Sequence, residues 1–413
     1  MSAMPSFKET ELMPSLQAAY AALVTPTAAQ VQAWNLFLQV GLPGLRDEKW
    51  KYTQLQRLYA HKFALPDLQL PNGVERSKAS ELLCVINGQL QCPAEVLNGI
   101  DITTRAMQAN NSDTSFAALN AALAPHEIVI TVSDNVIIEQ PLDIEFTTTS
   151  EYSSMVYPRV TIQLGRNSRL TLLESHGSTN DLAHFTNVVM QIELADGALL
   201  EHCRIQCENS ASFQIGKITA KLAKHAQYIN HQYNLGASLS RIDIDVRLEG
   251  AESYAELNGL QFALDTQLHD THSIIEHCVP HARSAETYHG IADGRGQVVF
   301  NGKVMVHKHA IGTDAQQSSR NLLLSPKAEI DTKPELEIYA DDVKCSHGAT
   351  VGQLDTTALF YLRSRGIGEQ QARGMLTLAF ADAVINRVPV PAVRDELTAL
   401  VHARFNTSAE IAS

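Results

Sequence analysis

A cysteine and a histidine stand two positions apart in the segment Asp341–Thr350, which reads DDVKCSHGAT. The segment follows a strand-like run at Glu335–Tyr339, and residues i and i+2 of an extended chain project from the same face. Cys345 and His347 would then point to one side and Ser346 to the other. A thiolate beside an imidazole suits iron, zinc or a sulfur-bridged cluster. Because two ligands leave a tetrahedral site open, we expect the others to come from elsewhere in the chain or from a partner protein.

The alternative for this pair is a surface cysteine and histidine that merely follow a strand, and the residues alone leave both interpretations open. The charged residues just ahead of the pair, Asp341, Asp342 and Lys344, favour a functional role. Nearby charge can stabilise a thiolate, so we expect the environment of Cys345 to promote its ionisation.

A second group of possible ligands lies further back in the chain. It comprises His269, His272, His277, Cys278 and His281, and His307 and His309 follow at strand spacing. Imidazole and thiolate are ligands for borderline metals, but these spacings match no compact motif. The sequence therefore favours ordinary side chains on strands, with a metal site as the less favoured alternative.

The composition is that of a globular protein with an acidic surface. The chain has 413 residues, 45% of them hydrophobic, and a formal net charge of -13. That charge argues against binding to nucleic acids or anionic membranes, which requires basic surfaces. No apolar run is long enough for a membrane span, and the first residues do not resemble a secretory signal, so we expect a cytoplasmic protein. The six cysteines are sparse and predict free thiols rather than disulfides.

Three regions are expected along the chain, with boundaries at residues 1–80, 81–350 and 351–413. The first is predicted to be helical. Thr27 is a candidate N-cap for a helix that ends at Gly41. Its predicted apolar stripe is Val31, Trp34, Phe37 and Leu38.

The middle region reads as many short strands. Apolar and polar residues alternate between about Leu82 and Leu324, and turn residues interrupt them. A partial repeat of strand, short turn and strand occurs four times, and its copies start at Leu164, Leu194, Leu222 and Leu248. Successive starts are 30, 28 and 26 residues apart. Repeats of this length are typical of solenoids and propellers. We predict a mainly β protein built on a parallel β-helix, and an antiparallel sandwich is the alternative.

Helices are predicted again after Asp355, which would cap a helix over Thr356–Arg363 that stops near Gly366. A longer helix is expected over Glu369–Arg387, and a last helix follows Pro391. The predicted stripe of the longer helix is Ala372, Leu376, Ala379, Phe380, Ala383 and Val384. These helices could cover the end of a solenoid or dock another subunit, and the pattern leaves both open.

Motifs of common enzymes are missing from the sequence. There is no GxxxxGK[ST] loop, no GxSxG elbow and no HExxH helix. Asp314 and Asp331 could form the acid pair of a β-helix enzyme that acts on polysaccharides, but nothing in their context supports a pairing. The sequence therefore contains none of these catalytic motifs, and a polysaccharide-active β-helix enzyme stays an alternative.

The segment Lys333–Gly352 and the following Phe360–Ile367 resemble the SufB/SufD family of the SUF iron–sulfur cluster assembly machinery. Three further segments, Gly41–Thr53, Phe300–Val306 and Asn321–Leu324, are also similar to that family. The resemblance therefore extends over the whole chain. It implies a right-handed parallel β-helix flanked by helical N- and C-terminal regions.

The resemblance also implies partners and a site. These are a SufB-like scaffold paralogue and a SufC-like ABC ATPase, the latter docking on the C-terminal helices. A transient iron–sulfur cluster or iron would be bound where the two paralogues meet, with His347 as a ligand and Cys345 beside it. The resemblance leaves open whether a flavin binds and whether the free protein forms a homodimer.

Two positions indicate the SufD side of the family. Gly348 stands where the scaffold paralogue carries an acidic residue, and Ser319 stands where it carries a functional cysteine. The resemblance thus implies a non-catalytic accessory subunit that does not hold a cluster alone.

Overall fold

The computed structural model describes residues 10–44, 46–66, 82–91, 98–108 and 114–411, and for residues 405–411 the backbone only. The predicted boundary near residue 80 lies outside the described residues. The division into three regions stays a prediction.

The described residues contain twenty strands, which are numbered along the chain and form two ten-stranded sheets. In sheet I they are β1 (Leu82–Ile86), β2 (Gln89–Gln91), β5 (Leu142–Thr148), β8 (Arg169–Ser178), β10 (Leu199–Gln206), β12 (Gln227–Asn234), β14 (Tyr254–Ala263), β16 (Arg283–Ala292), β18 (Asp314–Leu323) and β20 (Lys344–Gly352). In sheet II they are β3 (Ile100–Arg105), β4 (Glu127–Val132), β6 (Ser154–Val156), β7 (Arg159–Leu164), β9 (His184–Leu194), β11 (Phe213–Leu222), β13 (Leu239–Leu248), β15 (Leu268–His277), β17 (Gln297–Val306) and β19 (Glu329–Ile338).

From β7 onward the chain alternates between the two sheets, and each strand pairs in parallel with the equivalent strand of the preceding coil. Only the pairs β1/β2 and β3/β4 are antiparallel among the described strands. The result is a parallel β-solenoid of about eight turns with helices at its termini. The predicted parallel β-helix is confirmed, and the antiparallel sandwich is wrong.

The predicted repeat marks the corner at which each coil leaves sheet II. Leu164, Leu194, Leu222 and Leu248 are the last residues of β7, β9, β11 and β13, and they stack directly on one another. All four are buried. Burial of each such side chain contributes about 1.5–3 kcal/mol, so the stack supports coils that could not bury their apolar faces alone.

The N-terminal helices are α1 (Leu12–Ala21), α2 (Ala28–Val40) and α3 (Gln56–Tyr59), and α4 (Ser115–Leu123) lies between β3 and β4. Thr27 caps α2 in a reciprocal box with Gln30, and Gly41 ends the helix at φ 76°, as predicted. The predicted stripe is half wrong, because Val31 and Leu38 are exposed. The buried face is rotated toward α4, where Gln30 donates to the carbonyl oxygens of Ala122 and Ala124.

The segment before α3 lies on the outer face of sheet II. There the guanidinium of Arg241 is 3.9 Å from the ring centre of Trp50 and its Nη1 is 3.0 Å from Asp270 Oδ2. Thr53 also donates to Asp270. Asp270 points outward from its strand yet is fully buried, because the N-terminal segment covers it.

Three helices follow the last strand, α5 (Thr356–Ser364), α6 (Glu369–Ile385) and α7 (Pro391–Ile411). Asp355 caps α5 as predicted, and Gly366 follows it at φ 87°. The predicted stripe of α6 is wrong in part, because Ala379 and Ala383 are exposed. The face that packs on sheet I is instead formed by Ala372, Thr377, Ala381, Val384 and Ile385.

Contacts with the solenoid determine which face of α6 is buried. The Tyr233 hydroxyl donates to the carbonyl oxygen of Val384, and Arg373 donates to that of Leu324. These contacts fix α6 against the outer face of β12 to β18, which a helical period cannot reveal. Across the described ranges no helix has both the length and the apolar character needed to cross a membrane.

Candidate functional site

Cys345 and His347 lie on β20, the last strand of sheet I. In the parallel register Cys345 is opposite Ala315 and His347 is opposite Gln317, both of which are buried and point into the solenoid. Cys345 packs against a small apolar cluster of the last coils that includes Val304, Val306 and Ala315. The prediction that the cysteine and the histidine project from one face of a strand is confirmed.

Cys345 and His347 are more exposed than the residues at the equivalent positions of the preceding coil. The strands of the last coil, β19 and β20, contain no buried residue, whereas the equivalent strands of earlier coils are buried at alternate positions. His347 is exposed, and it makes no hydrogen bond or ion pair with any residue that the structure describes. An inward column of the solenoid therefore ends in a free imidazole at an open coil.

The thiol of Cys345 does not have the environment that the sequence predicted. Partial burial raises its pKa, and the Asp314 carboxylate raises it further, against the opposing effect of a backbone hydrogen bond at Ala315. The expectation that nearby charge favours the thiolate is wrong. The raised pKa disfavours the thiolate near neutral pH, and a bound metal ion would displace the proton.

Directly beneath His347 the interior is closed by a glutamine. The Nε2 of Gln317 donates to Glu286 Oε2 at 2.6 Å, and it fills space that exists only because residue 302 of the facing sheet is glycine. A Cβ at Gly302 would lie 2.0 Å from that Nε2 atom. The site is thus a shallow opening one coil deep.

Glu286 is a buried carboxyl group that sequence reasoning missed. It makes no ion pair within the part of the chain that the structure describes, and burial raises its pKa to about 7, which the hydrogen bond from Gln317 only partly offsets. The sequence signal was its place in the strand alternation, one coil before Gln317 and two before His347.

Ser319 occupies the neighbouring inward position, opposite Ala349. It is buried, and its hydroxyl accepts hydrogen bonds from Thr332 Oγ1 at 3.1 Å and Asn321 Nδ2 at 3.0 Å. The bond from Thr332, which lies in β19, links the two sheets behind the open coil, whereas Asn321 lies on the same strand as Ser319. Ser319 thus has structural partners and offers no thiol.

The second predicted group does not form one cluster. His269 and His277 point into the solenoid, where burial lowers their pKa to about 3 and about 4 respectively. Their Nε2 atoms contact the carbonyl oxygen of Gly236 and the hydroxyl of Ser284. Cys278, on the outer face, instead lies near Glu276 and His307.

The acid pair weighed for a polysaccharide-active enzyme is not assembled. Asp314 begins β18 in sheet I, and Asp331 lies in β19 of sheet II, so the two carboxylates belong to different walls of the solenoid.

Comparison with known proteins agrees with the architecture. Residues 146–380 match the family model described as SUF system FeS cluster assembly, SufBD core domain, which covers more than half of the chain. The chain belongs to the SufBD family. The matched range contains most of the solenoid, all of β20 and most of α6.

Individual relatives indicate the SufD type. The iron–sulfur cluster assembly protein SufD of Escherichia coli is 33% identical over 373 residues, which covers 87% of each chain. An iron–sulfur cluster assembly SufBD family protein of Synechocystis is 33% identical over 405 residues, 90% of this chain and 89% of that one. The chloroplastic protein ABCI7 of Arabidopsis thaliana is 31% identical over 337 residues, 79% of this chain and 68% of that one.

Proposed function

We propose that this SufD-type chain is a non-catalytic subunit of an iron–sulfur cluster assembly complex, and that His347 binds iron or a nascent cluster with Cys345 beside it. The free imidazole at an open inward position carries the proposal. Every inward neighbour of His347 in the preceding coils is buried, so its exposure is a property of the last coil alone.

The chemistry follows from the small number of donors. One imidazole and one protonated thiol cannot close a tetrahedral site, and Gly348 next to them adds no side chain although the space around it is open. Iron and sulfide, the cargo of assembly, would complete their ligands from a second protein. A site shared between two chains can release its cluster, whereas a fully ligated site would retain it.

A SufB-like scaffold is the partner that the last coil favours. Among the described strands β20 is an edge of sheet I, and its neighbourhood exposes apolar side chains such as Tyr339 and Val351. A second solenoid with the same coil dimensions could continue the structure there, because an exposed strand edge is a template for pairing. A second copy of this chain could use the same edge, so we expect that the free protein can form a homodimer when the scaffold is missing.

A SufC-like ATPase would dock on the C-terminal helices. Phe360 and Tyr361 of α5 are 73% and 56% exposed, and Met375 of α6 is 46% exposed. The helices α5 and α6 contact each other, and exposed large apolar side chains are typical of protein interfaces. ATP hydrolysis in the docked subunit would move the two solenoids and expose the shared site.

The test is the iron and acid-labile sulfide content of the complex purified with its scaffold and ATPase partners. His347→Ala is expected to assemble normally and to lose most of its iron and sulfide. Cys345→Ser is expected to lose a smaller part, because the thiol is half-buried and assists the imidazole.

His309→Ala is the matched control. His309 is equally exposed but lies in the turn after β17, away from the inward columns. If His347→Ala retained wild-type iron and sulfide, the site would lie wholly on the partner, and the role of the pair would be structural.

A further inference from the structure

A second group of metal-binding side chains lies on the outer surface of the solenoid. One carboxylate oxygen of Glu276, the Sγ of Cys278 and one imidazole nitrogen of His307 all lie within 4.8 Å of one another. It is the single group of three such donors in the described residues. All three side chains are partly buried, so they are held in place yet can be reached from solvent.

The coil repeat explains why these three residues meet. Glu276 and Cys278 are two positions apart at the end of β15 and share its outward face. Cys278 and His307 are 29 residues apart, and so are the inward residues His277 and Val306 that precede them. The His307 amide donates to the carbonyl oxygen of His277, which extends the parallel ladder and stacks the imidazole beside the thiol.

Hydrogen bonds already hold the carboxylate of this group. His307 Nε2 is 3.0 Å from Glu276 Oε2, and Arg247 Nη1 is 2.9 Å from the same oxygen. Arg247 Nε also donates to Glu249 at 2.9 Å. An outer contact such as that from Arg247 commonly orients a carboxylate that ligates a metal, and the other oxygen of Glu276 remains for a metal ion.

The charges of the group favour a divalent cation. Two carboxylates, Glu276 and Glu249, face one guanidinium, that of Arg247. If a divalent ion displaced the proton of Cys278, two carboxylates and a thiolate would balance the guanidinium and the ion. Burial raises the pKa of Cys278 while Arg247 lowers it, so the thiol is protonated at neutral pH and binding would release a proton.

We propose that Glu276, Cys278 and His307 form a binding site for a divalent transition metal of borderline softness, such as Zn²⁺ or Fe²⁺. Mixed sulfur, nitrogen and oxygen donors suit these ions, and three protein ligands leave one tetrahedral position open to exchange. The site is on the outside of the corner whose interior contains Cys345, because Val306 packs against the apolar cluster around that thiol. It does not depend on the function proposed for His347.

The experiment uses the full chain alone, stripped of metal and titrated with Co²⁺ while thiolate-to-cobalt absorption is recorded. Wild type is expected to show a saturable band. Cys278→Ser is expected to abolish the band, and His307→Ala and Glu276→Gln to weaken Co²⁺ binding by about tenfold or more. Affinity is expected to rise with pH, because the thiol must lose its proton.

Cys84→Ser, at a partly buried thiol on β1, and His309→Ala are the matched controls, and both are expected to leave the titration unchanged. Zn²⁺ is expected to raise the thermal midpoint of wild type and not that of Cys278→Ser. A band that survives in Cys278→Ser, or that disappears in Cys84→Ser, would overturn the proposal, as would the lack of any saturable band in wild type. If Cys278→Ser fails to fold, the two variants at His307 and Glu276 decide the matter, and wild-type affinity in both would refute the site.

Discussion

His202 in β10 and His347 in β20 occupy the same inward column of sheet I, yet their surroundings are opposite. His202 is fully buried, with Nε2 2.7 Å from Glu174 Oε2 and Nδ1 3.1 Å from the Tyr228 hydroxyl. His347 is exposed and has no such contact with a described residue. The column that joins them runs through His202, Asn230, Leu257, Glu286, Gln317 and His347.

The early coils show what burial demands of polar side chains. Although burial opposes ionisation, Arg204 and two histidines hold the pKa of Glu174 well below its usual range. Glu208, equally buried, has its pKa lowered to about 2, chiefly by His184. The contrast with the last coil shows that the repeat sets the direction in which a side chain points. The presence of a following coil then decides whether a polar side chain is buried with hydrogen-bond partners or left exposed and able to bind a ligand.

The largest expected effect is at the buried ion pair of the early coils. Arg204→Met is expected to lower the free energy of unfolding by about 3–5 kcal/mol, because it leaves the Glu174 carboxylate buried without its cation. Urea denaturation followed by circular dichroism measures the change. Arg320→Met, at an exposed position on β18, is the control and is expected to change it by less than about 0.5 kcal/mol. Equal effects of the two substitutions would contradict the contrast between buried and exposed charge.

Glu286 lies between His202 and His347 in the inward column, and its contribution to the free energy of unfolding depends on pH. The unfolded chain loses this proton near pH 4.5 and the folded chain near pH 7, so the folded state binds more protons between these values. Stability from this group is therefore present at low pH and is lost as the pH rises through 7. Glu286→Gln is expected to match wild type near pH 4.5 and to exceed its stability by about 3 kcal/mol above pH 7.

Urea midpoints of both proteins across this pH range provide the test. A variant that is less stable than wild type above pH 7 would show that the Glu286 carboxylate has a compensating partner.

The paired substitutions His202→Ala and His347→Ala test the comparison directly. His202→Ala is expected to lower the free energy of unfolding by about 1–3 kcal/mol, because Glu174 and Tyr228 lose a buried hydrogen-bond partner. His347→Ala is expected to change it by less than about 0.5 kcal/mol. Iron and sulfide in the assembled complex should respond in the reverse order, with the larger loss for His347→Ala. The same ranking in both measurements would remove the distinction between a structural and a working histidine.

The last prediction concerns the chemical reactivity of two thiols, those of Cys203 and Cys345. Cys203 is buried, and burial raises its pKa far above the usual range, whereas Cys345 is only partly buried with a smaller rise in pKa. Iodoacetamide is expected to modify Cys345 slowly at neutral pH and faster as the pH rises, and to leave Cys203 unmodified until the chain unfolds. Mass spectrometry of digests, with Cys345→Ser as reference, distinguishes the sites. Rapid alkylation of Cys345 at neutral pH would mean that its thiolate is stabilised after all.

Much of the fold was predictable because its signals are local or periodic. The spacing of the leucines from Leu164 to Leu248 predicted the solenoid, and Thr27 and Asp355 predicted the starts of two helices. The shared face of Cys345 and His347 followed from strand alternation. The stripe of α6 was partly wrong, since the face that a helix buries depends on the surface it meets.

Three features follow from the order of residues in the chain: the period of the coil, the alternation of inward and outward residues, and the short motif with Cys345 and His347. Each of them depends on residues that are near in the chain or repeated at a constant interval. The tertiary structure alone decided which polar residues are buried with partners, as at His202, and which are left open, as at His347. It also decided the raised pKa of Cys345 and the meeting of Glu276, Cys278 and His307. Burial and electrostatic environment are sums over neighbours from other coils, and the order of residues along one strand does not contain them.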